Sequence, residues 1–409
     1  MTPSPAPQVK ASTAAVMLAL ATVGFTVNFW AWALLSPLGA TYRKSFHLSS
    51  FEQAFLVAIP VLVGSLGRIP VGALTDRFGA RIMFPLITAL TIAPVVFIGS
   101  SGDSYVKVVA AGFFLGLAGT VFAIGIPMVN AWFGAAKRGL ALGIFGIGMG
   151  GTAISALSTV KLADHHGRAF PFYLAAAALA AYAILSAVLL RDAPGRTPVT
   201  AGMWARTASA MRLRVTVQLS FLYSVGFGGF VAFSVYLPTL LKTSYGLSPG
   251  SASDRAAGFV LVAVVMRPVG GWLSDRFHPI PVLIASFAAV AALALVVATH
   301  LALVPGATAC FLAMAAGLGA AAGACFALVA KVTPADKVGA VTGVVGAAGG
   351  LGGFLPPLVM GAVYGWTHSY AIGFVLLAAV AAAAALYTGQ AMLQAGQDRA
   401  ATVALPFAA

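Results

Sequence analysis

Two arginines stand inside long apolar runs: Arg68 in "GRIPVGALTDRFGAR" (67–81) and Arg267 in "MRPVGGWLSDRF" (266–277). Each is followed eight residues later by an aspartate, Asp76 or Asp275. On a helix rising 1.5 Å per residue, that spacing sets each guanidinium about 12 Å inside a hydrocarbon layer about 30 Å thick. An arginine at such depth costs at least about 2.5–3.5 kcal/mol and does not give up its proton, so it must face a cavity or a partner. The carboxylates that could pair with it are Glu52, Asp76, Asp103, Asp164, Asp192, Asp254, Asp275, Asp336 and Asp398, and each falls in a loop or at a helix end. Two cations therefore face an interior without a matching anion, and a ligand that brings the negative charge resolves the imbalance. The planar, forked guanidinium suits a planar oxyanion better than an ammonium would. The plainer alternative is that each arginine ties helices together through backbone carbonyls; two arginines at matched positions weigh toward a ligand.

The elements that hold them are membrane helices. The chain has 409 residues, of which 60% are hydrophobic and 8% charged, with mean hydropathy +0.98. No water-soluble domain of this length has that composition. Twelve spans are expected at 14–38, 51–73, 82–100, 105–131, 139–160, 169–190, 215–240, 255–274, 279–299, 306–330, 339–365 and 369–393. The first is too long for the apolar region of a cleaved signal peptide and reads as a retained span. A basic connector, 191–214, separates a six-helix bundle at 14–190 from one at 215–393, with tails at 1–13 and 394–409. The expected fold is an all-α membrane protein of two pseudo-symmetric six-helix bundles in a lipid bilayer.

The net charge of +14 does not indicate nucleic acid, because the basic residues punctuate apolar runs instead of clustering on a solvated face. It reports topology. With both termini in the cytoplasm, that side holds Lys10, Arg77, Arg81, Lys137, Arg138, Arg191, Arg196, Arg206, Arg212, Arg214, Arg276, Lys331, Lys337 and Arg399. The other side holds half as many: Arg43, Lys44, Lys107, Lys161, Arg168, Lys242 and Arg255. This bias favours a multi-pass protein of the cytoplasmic membrane with both ends inside. Cys310 and Cys325 read as small buried hydrophobes instead of a disulfide or metal pair.

The halves repeat. "RIPVGALTDRF" and "RPVGGWLSDRF" align without gaps at an offset of 199, and the glycine rows of the fifth and eleventh spans align at 200, pairing Gly139 with Gly339, Gly143 with Gly343, Gly146 with Gly346 and Gly150 with Gly350. Such repeats are a transporter architecture whose substrate site lies near the midplane between them. Gly143, Gly146 and Gly150 in one helix and Gly346, Gly349 and Gly350 in the other allow close backbone approach; lining a narrow cavity is compatible with that role and favours a small substrate. The charges Asp76, Arg77 and Arg81, with Asp275 and Arg276 as their twins, are expected to gate the cytoplasmic face by pairing in one conformation and releasing in the other.

The complete G-x-x-x-D-R-x-G-x-R loop (Gly72, Asp76, Arg77, Gly79, Arg81) on twelve spans resembles the major facilitator superfamily. The arginine segments, with "GLALGIFGIGMGGTA" and "GAAGGLGGFLPP", resemble its nitrate/nitrite porter family. The resemblance implies that Arg68 and Arg267 grip the anion and that Phe122, from "TVFAIGIPMVNAWF", and Tyr223 and Phe227, from "FLYSVGFGGF", sandwich it. One position departs: Met149 stands where the family's G-x-G-N-x-G has asparagine. The expected function is nitrate or nitrite transport by alternating access, as part of nitrate assimilation. The expected partners are a small inorganic anion and the bilayer, with no cofactor, no metal and no second subunit. All six histidines (His47, His165, His166, His278, His300, His368) lie in loops or at helix ends, so no intramembrane proton relay is evident and nitrate/nitrite exchange is favoured; an empty site would keep its arginine repulsion and resist turning over. Nitrate/proton symport, another small or organic anion, and an anion receptor that moves nothing stay open. An enzyme is disfavoured by the lack of any nucleophile, acid and base constellation.

Overall fold

The computed structural model describes residues 11–196, 203–333 and 338–403, with side chains described except at 135–140, 203–206, 330, 338–339 and 391–403. Lys10, Asp336 and Lys337 lie outside the described residues, as do the side chains of Lys137, Arg138, Arg206, Asp398 and Arg399 and the surroundings of Gly139 and Gly339. Twelve helices are long and apolar enough to cross a membrane, here called spans 1 to 12: Ala11–Phe46, Ser50–Phe78, Ala80–Ser101, Tyr105–Trp132, Ala141–His166, Phe170–Leu189, Arg214–Tyr245, Pro249–Phe277, Pro279–Ala298, Leu303–Val329, Ala340–Thr367 and Ala371–Gln390. No strand occurs among the described residues. A helix satisfies every backbone group within its own segment, which hydrocarbon demands. The outer surface is apolar, with Val106, Ile184, Val188 and Leu386 all more than two-thirds exposed, as a lipid-facing surface must be.

All twelve expected spans are present, and several overrun their expected ends. Span 1 continues through Arg43 and Lys44, and span 7 through Lys242 to Tyr245. Hydropathy falls at the first charge, but the helix does not stop there, because Lys and Arg lay their methylene stems along apolar surface and reach outward. The true stops are local. Ser49 and Glu52 form a capping box at the start of span 2, and Ser248 accepts from the Ser251 amide at the start of span 8. His47, His278, His300 and His368 all adopt positive φ at helix boundaries. Cys310 and Cys325 are buried, unpaired thiols.

The first half is interrupted near its middle and the second is not. Span 2 breaks at Gly67, span 4 tightens into a 3-10 turn at Gly116–Thr120, and span 5 does so at Ile147–Gly150. Their counterparts in spans 8, 10 and 11 run through these positions as unbroken helix.

At the end away from the connector the two halves are sutured. Ser36 Oγ donates to the Val235 carbonyl at 2.7 Å, Gln53 Nε2 to Thr239 Oγ1 at 3.1 Å, and Lys161 Nζ pairs with Asp254 at 2.9 Å. Toward the connector end a cavity of about 190 Å³ separates them, running from Arg68, Phe122 and Gly346 down to Asp76, Asn130 and Thr207. The suture and the cavity together leave the two halves joined at one end and apart at the other.

The loop between spans 2 and 3 is held by the connector. Asp192 Oδ1 accepts from the amides of Ala80 (2.8 Å) and Arg81 (3.2 Å), where its negative charge meets the helix N-terminus. Arg196 Nη2 donates to the carbonyls of Thr75 (3.2 Å) and Asp76 (2.8 Å), capping the C-terminus of span 2. In the second half Lys331 Nζ donates to the Ser274 carbonyl at 3.1 Å, and Ser274 is the repeat partner of Thr75. A basic side chain thus caps the same helix end in both halves. Substituting Arg196→Gln is expected to lower stability by about 1–2 kcal/mol, the value of the charged bonds lost, read as a lower midpoint of thermal unfolding in detergent.

Candidate functional site

Arg68 and Arg267 meet at the seam between the halves, on the shared faces of the same rings. The Arg68 guanidinium carbon lies 4.9 Å from the centroid of Phe122 and 5.5 Å from that of Phe227. The Arg267 carbon lies 5.4 Å from Phe227 and 5.9 Å from Phe122. Those two rings, one from each half, are tilted by only 18° with centroids 6.3 Å apart. Each ring presents its negative face to the cations, so a flat slot with two positive edges results. Tyr223 stacks on Phe227 at 4.9 Å and 5°. All three aromatic side chains are buried.

Each guanidinium is held across the seam by the opposite half. Arg68 Nη1 donates to the carbonyl of Gly346 in span 11 at 2.7 Å, and its Nε to that of Gly119 in span 4 at 3.4 Å. Arg267 Nη1 points at Met149 Sδ in span 5 at 2.9 Å, and Nη2 at Tyr223 Oη at 2.9 Å. The carbonyl-tying role is therefore real at Arg68. At Arg267 the acceptors are a thioether and a phenol. Among the described residues the ion pairs are Lys107–Asp103, Lys161–Asp254 and Arg196–Asp192, and neither arginine of the slot joins one. With two full positive charges and only neutral acceptors, the slot attracts anions.

The two glycine rows do different work. In span 11 a Cβ on Gly349 would run into the Tyr223 and Phe227 rings, and one on Gly350 into Ser65, so these glycines admit the slot's own components. Gly346 supplies its carbonyl to Arg68, and a Cβ there would stand 3.5 Å from Phe122. In span 5 a Cβ on Gly143 would stand 3.7 Å from Pro268, while at Gly146 and Gly150 it would meet nothing within 4 Å. The tight approaches in span 5 are at Gly148, against Phe25, and Gly151, against the backbone of Thr26 and Trp30. Of the loop charges, Arg77 packs over Phe78 and Arg276 over Phe277 and Trp272, Asp275 is exposed, and Asp76 lines the cavity. Arg81 contributes its backbone amide to Asp192.

Phe326 of span 10 was not expected here. Its ring lies 4.7 Å from Tyr223 and 6.4 Å from Phe122, and the Arg267 carbon is 5.6 Å above it. The signal was a third repeat: at an offset of 204, Gly119 aligns with Gly323 and Phe122 with Phe326. The symmetry that pairs the arginines pairs these rings too.

Tyr223→Phe tests the phenol separately from the ring. The stack stays, while the acceptor for Arg267 Nη2 and the phenol hydrogen disappear. A bond to a charged group is worth about 1.5–3 kcal/mol, so anion affinity is expected to fall roughly tenfold or more, with unfolding temperature unchanged, in equilibrium binding to purified protein.

The chain matches the family model described as Major Facilitator Superfamily over residues 21–253 and 219–403. It is 49% identical over 377 residues to the "Probable nitrate/nitrite transporter NarK2" of Mycobacterium tuberculosis, covering 91% of this chain and 95% of that one. It is 37% identical over 368 residues to the "Nitrite extrusion protein" of Bacillus subtilis, covering 90% and 92%. Among solved structures, a D-xylose-proton symporter superposes with a TM-score of 0.72 at 18% identity, over 91% of this chain and 96% of that one.

Proposed function

Because the chain belongs to the major facilitator superfamily, and within it to the nitrate/nitrite porters, we propose that it is a secondary transporter carrying nitrate and nitrite across the cytoplasmic membrane, by exchange of one for the other. The observation that carries this reading is the slot itself: Arg68 and Arg267 over the near-parallel faces of Phe122 and Phe227, without an ion pair of their own among the described residues. A planar trigonal or bent oxyanion presents flat faces to such rings and takes forked donors at its edges. The binding residues are Arg68, Arg267, Phe122, Tyr223 and Phe227.

The two bundles, 14–190 and 215–393, rock about this slot. With both termini in the cytoplasm, as the Lys and Arg bias favours, the cavity opens inward and the Ser36, Gln53 and Lys161 contacts close the outer end. Asp76, Arg77 and Arg81, with the connector residues Asp192 and Arg196, act at the inner gate, and Asp275 and Arg276 occupy the matching place in the second half. The transporting unit in this reading is a monomer. The members of the slot are two arginines, a tyrosine and apolar groups, with the histidines at helix ends, which supports exchange over proton symport.

Proteoliposomes preloaded with nitrite should take up labelled nitrate faster than empty ones, and a pH gradient should not replace internal nitrite. Uptake by empty liposomes driven by a pH gradient would establish symport instead. Binding without flux would make the protein a receptor.

A further inference from the structure

Met149 lies on the 3-10 turn Ile147–Gly150, buried, with its sulfur 2.9 Å from Arg267 Nη1. A thioether is a weak acceptor and has no hydrogen to donate. Neutral donors facing the slot are therefore few. Tyr223 Oη accepts from Arg267, which leaves its own proton to give; among the described residues the other side chains against the two guanidinium groups are Phe122, Phe227, Phe326 and the Met149 sulfur. An anion entering here exchanges water for two guanidinium groups, one phenol and otherwise soft, polarizable surface.

That exchange does not treat all oxyanions alike. Nitrate spreads one charge over three oxygens, is the conjugate base of a strong acid, and accepts hydrogen bonds weakly, so it surrenders little on leaving water. Nitrite concentrates its charge on two oxygens and a nitrogen lone pair, is the conjugate base of a weak acid, and loses more when neutral donors are not there to replace water. We infer that Met149 is a specificity-determining residue that biases the slot toward nitrate over nitrite, by placing a non-donating sulfur against Arg267. The inference rests on the nitrate/nitrite reading of the slot and adds its direction of preference.

The test is competition against labelled nitrate uptake by unlabelled nitrate and nitrite, comparing the half-inhibiting concentrations as a ratio. In the wild-type protein nitrate should compete at the lower concentration. Met149→Gln keeps nearly the same length and adds an amide donor; it should shift the ratio toward nitrite by about tenfold, one hydrogen bond to a charged group. Met149→Leu removes the sulfur without adding a donor and should leave the ratio within about twofold of wild type. A purely structural role for Met149 would change rate or yield in both variants and leave the ratio alone. The inference is overturned by a wild-type preference for nitrite, by an unchanged ratio in M149Q, or by M149L shifting the ratio as far as M149Q. If M149Q does not fold, M149N carries the same amide and the same expectation, and the wild-type ratio stands as a test without any variant. Uptake of neither anion by the wild-type protein would sink the transport reading itself, and would be seen before any ratio is formed.

Discussion

Substituting either arginine of the slot by lysine, Arg68→Lys or Arg267→Lys, is expected to lower nitrate transport by at least about a hundredfold. Lysine keeps the charge, so a role in long-range attraction alone would survive the change. The geometry asks for more. Arg68 reaches carbonyls on spans 4 and 11 from two different nitrogens while its guanidinium carbon stays within 5.5 Å of the centroids of both Phe122 and Phe227, and Arg267 divides its two terminal nitrogens between Met149 and Tyr223. A single ammonium cannot make a forked contact with an oxyanion and hold such positions at once. Two charge-assisted bonds at about 1.5–3 kcal/mol each amount to a factor of about 10² to 10⁴. The two variants should differ in one respect. Arg68 ties three spans through backbone carbonyls, so R68K should also lower the unfolding temperature, whereas Arg267 leans on side chains and R267K should fold normally. Flux in proteoliposomes and thermal unfolding of the same preparations separate the effects; near wild-type flux in either variant would remove that arginine from the anion site.

How far the sequence foretold this site depends on what kind of signal each residue leaves. A charge in an apolar run is rare and expensive, so Arg68 and Arg267 stand out, and their offset of 199 residues turns two anomalies into one symmetric feature. An aromatic residue in a membrane helix is ordinary, so Phe122, Tyr223 and Phe227 are legible through family resemblance alone, and Phe326 through the repeat that pairs it with Phe122. The glycine rows were legible as stripes, but a stripe does not say which member touches a neighbour: Gly349 and Gly350 are pressed against side chains, whereas Gly146 and Gly150 face open space. The Asp192 and Arg196 contacts join a side chain to backbone groups of a distant helix end. Such bonds impose no spacing on the sequence and leave nothing to read.

The repeat also sharpens what is not symmetric. Arg68 begins a new helical segment after the interruption at Gly67 and reaches the tightened turn of span 4 at Gly119, while Arg267 lies in the continuous helix of span 8 and reaches the tightened turn of span 5 at Met149. Mid-helix 3-10 turns commonly mark hinges. The first half therefore has local joints around its arginine, and the second half holds its arginine within an unbroken helix, next to Pro268.

Glycines set the close approach of spans 8 and 10, with Gly319 against Ala263, Gly270 against Ala320 and Gly323 against Arg267 itself. Gly323 of span 10 packs directly on the backbone of span 8: a Cβ there would fall on the carbonyl oxygen of Arg267 and within 3.0 Å of its carbonyl carbon and of the Gly271 nitrogen. A clash with a flexible side chain is relieved by rotation, but these are helical backbone atoms, and relief requires the two spans to separate. Phe326 is three residues further along the same helix, so separation would move the ring from Tyr223 and draw Arg267 away from Met149 and Tyr223 together. Overpacking of this kind costs about 1–3 kcal/mol for a methyl and more for a branched side chain. Gly323→Val is accordingly expected to lower the unfolding temperature sharply and to abolish transport, and Gly323→Ala to do both in smaller measure. Gly146→Ala is the control, because a Cβ at that equally conspicuous glycine meets nothing within 4 Å; it should unfold at the wild-type temperature. If Gly323→Val matched the control in thermal unfolding and in flux, the close contact of spans 8 and 10 would not be what holds Arg267 at the seam.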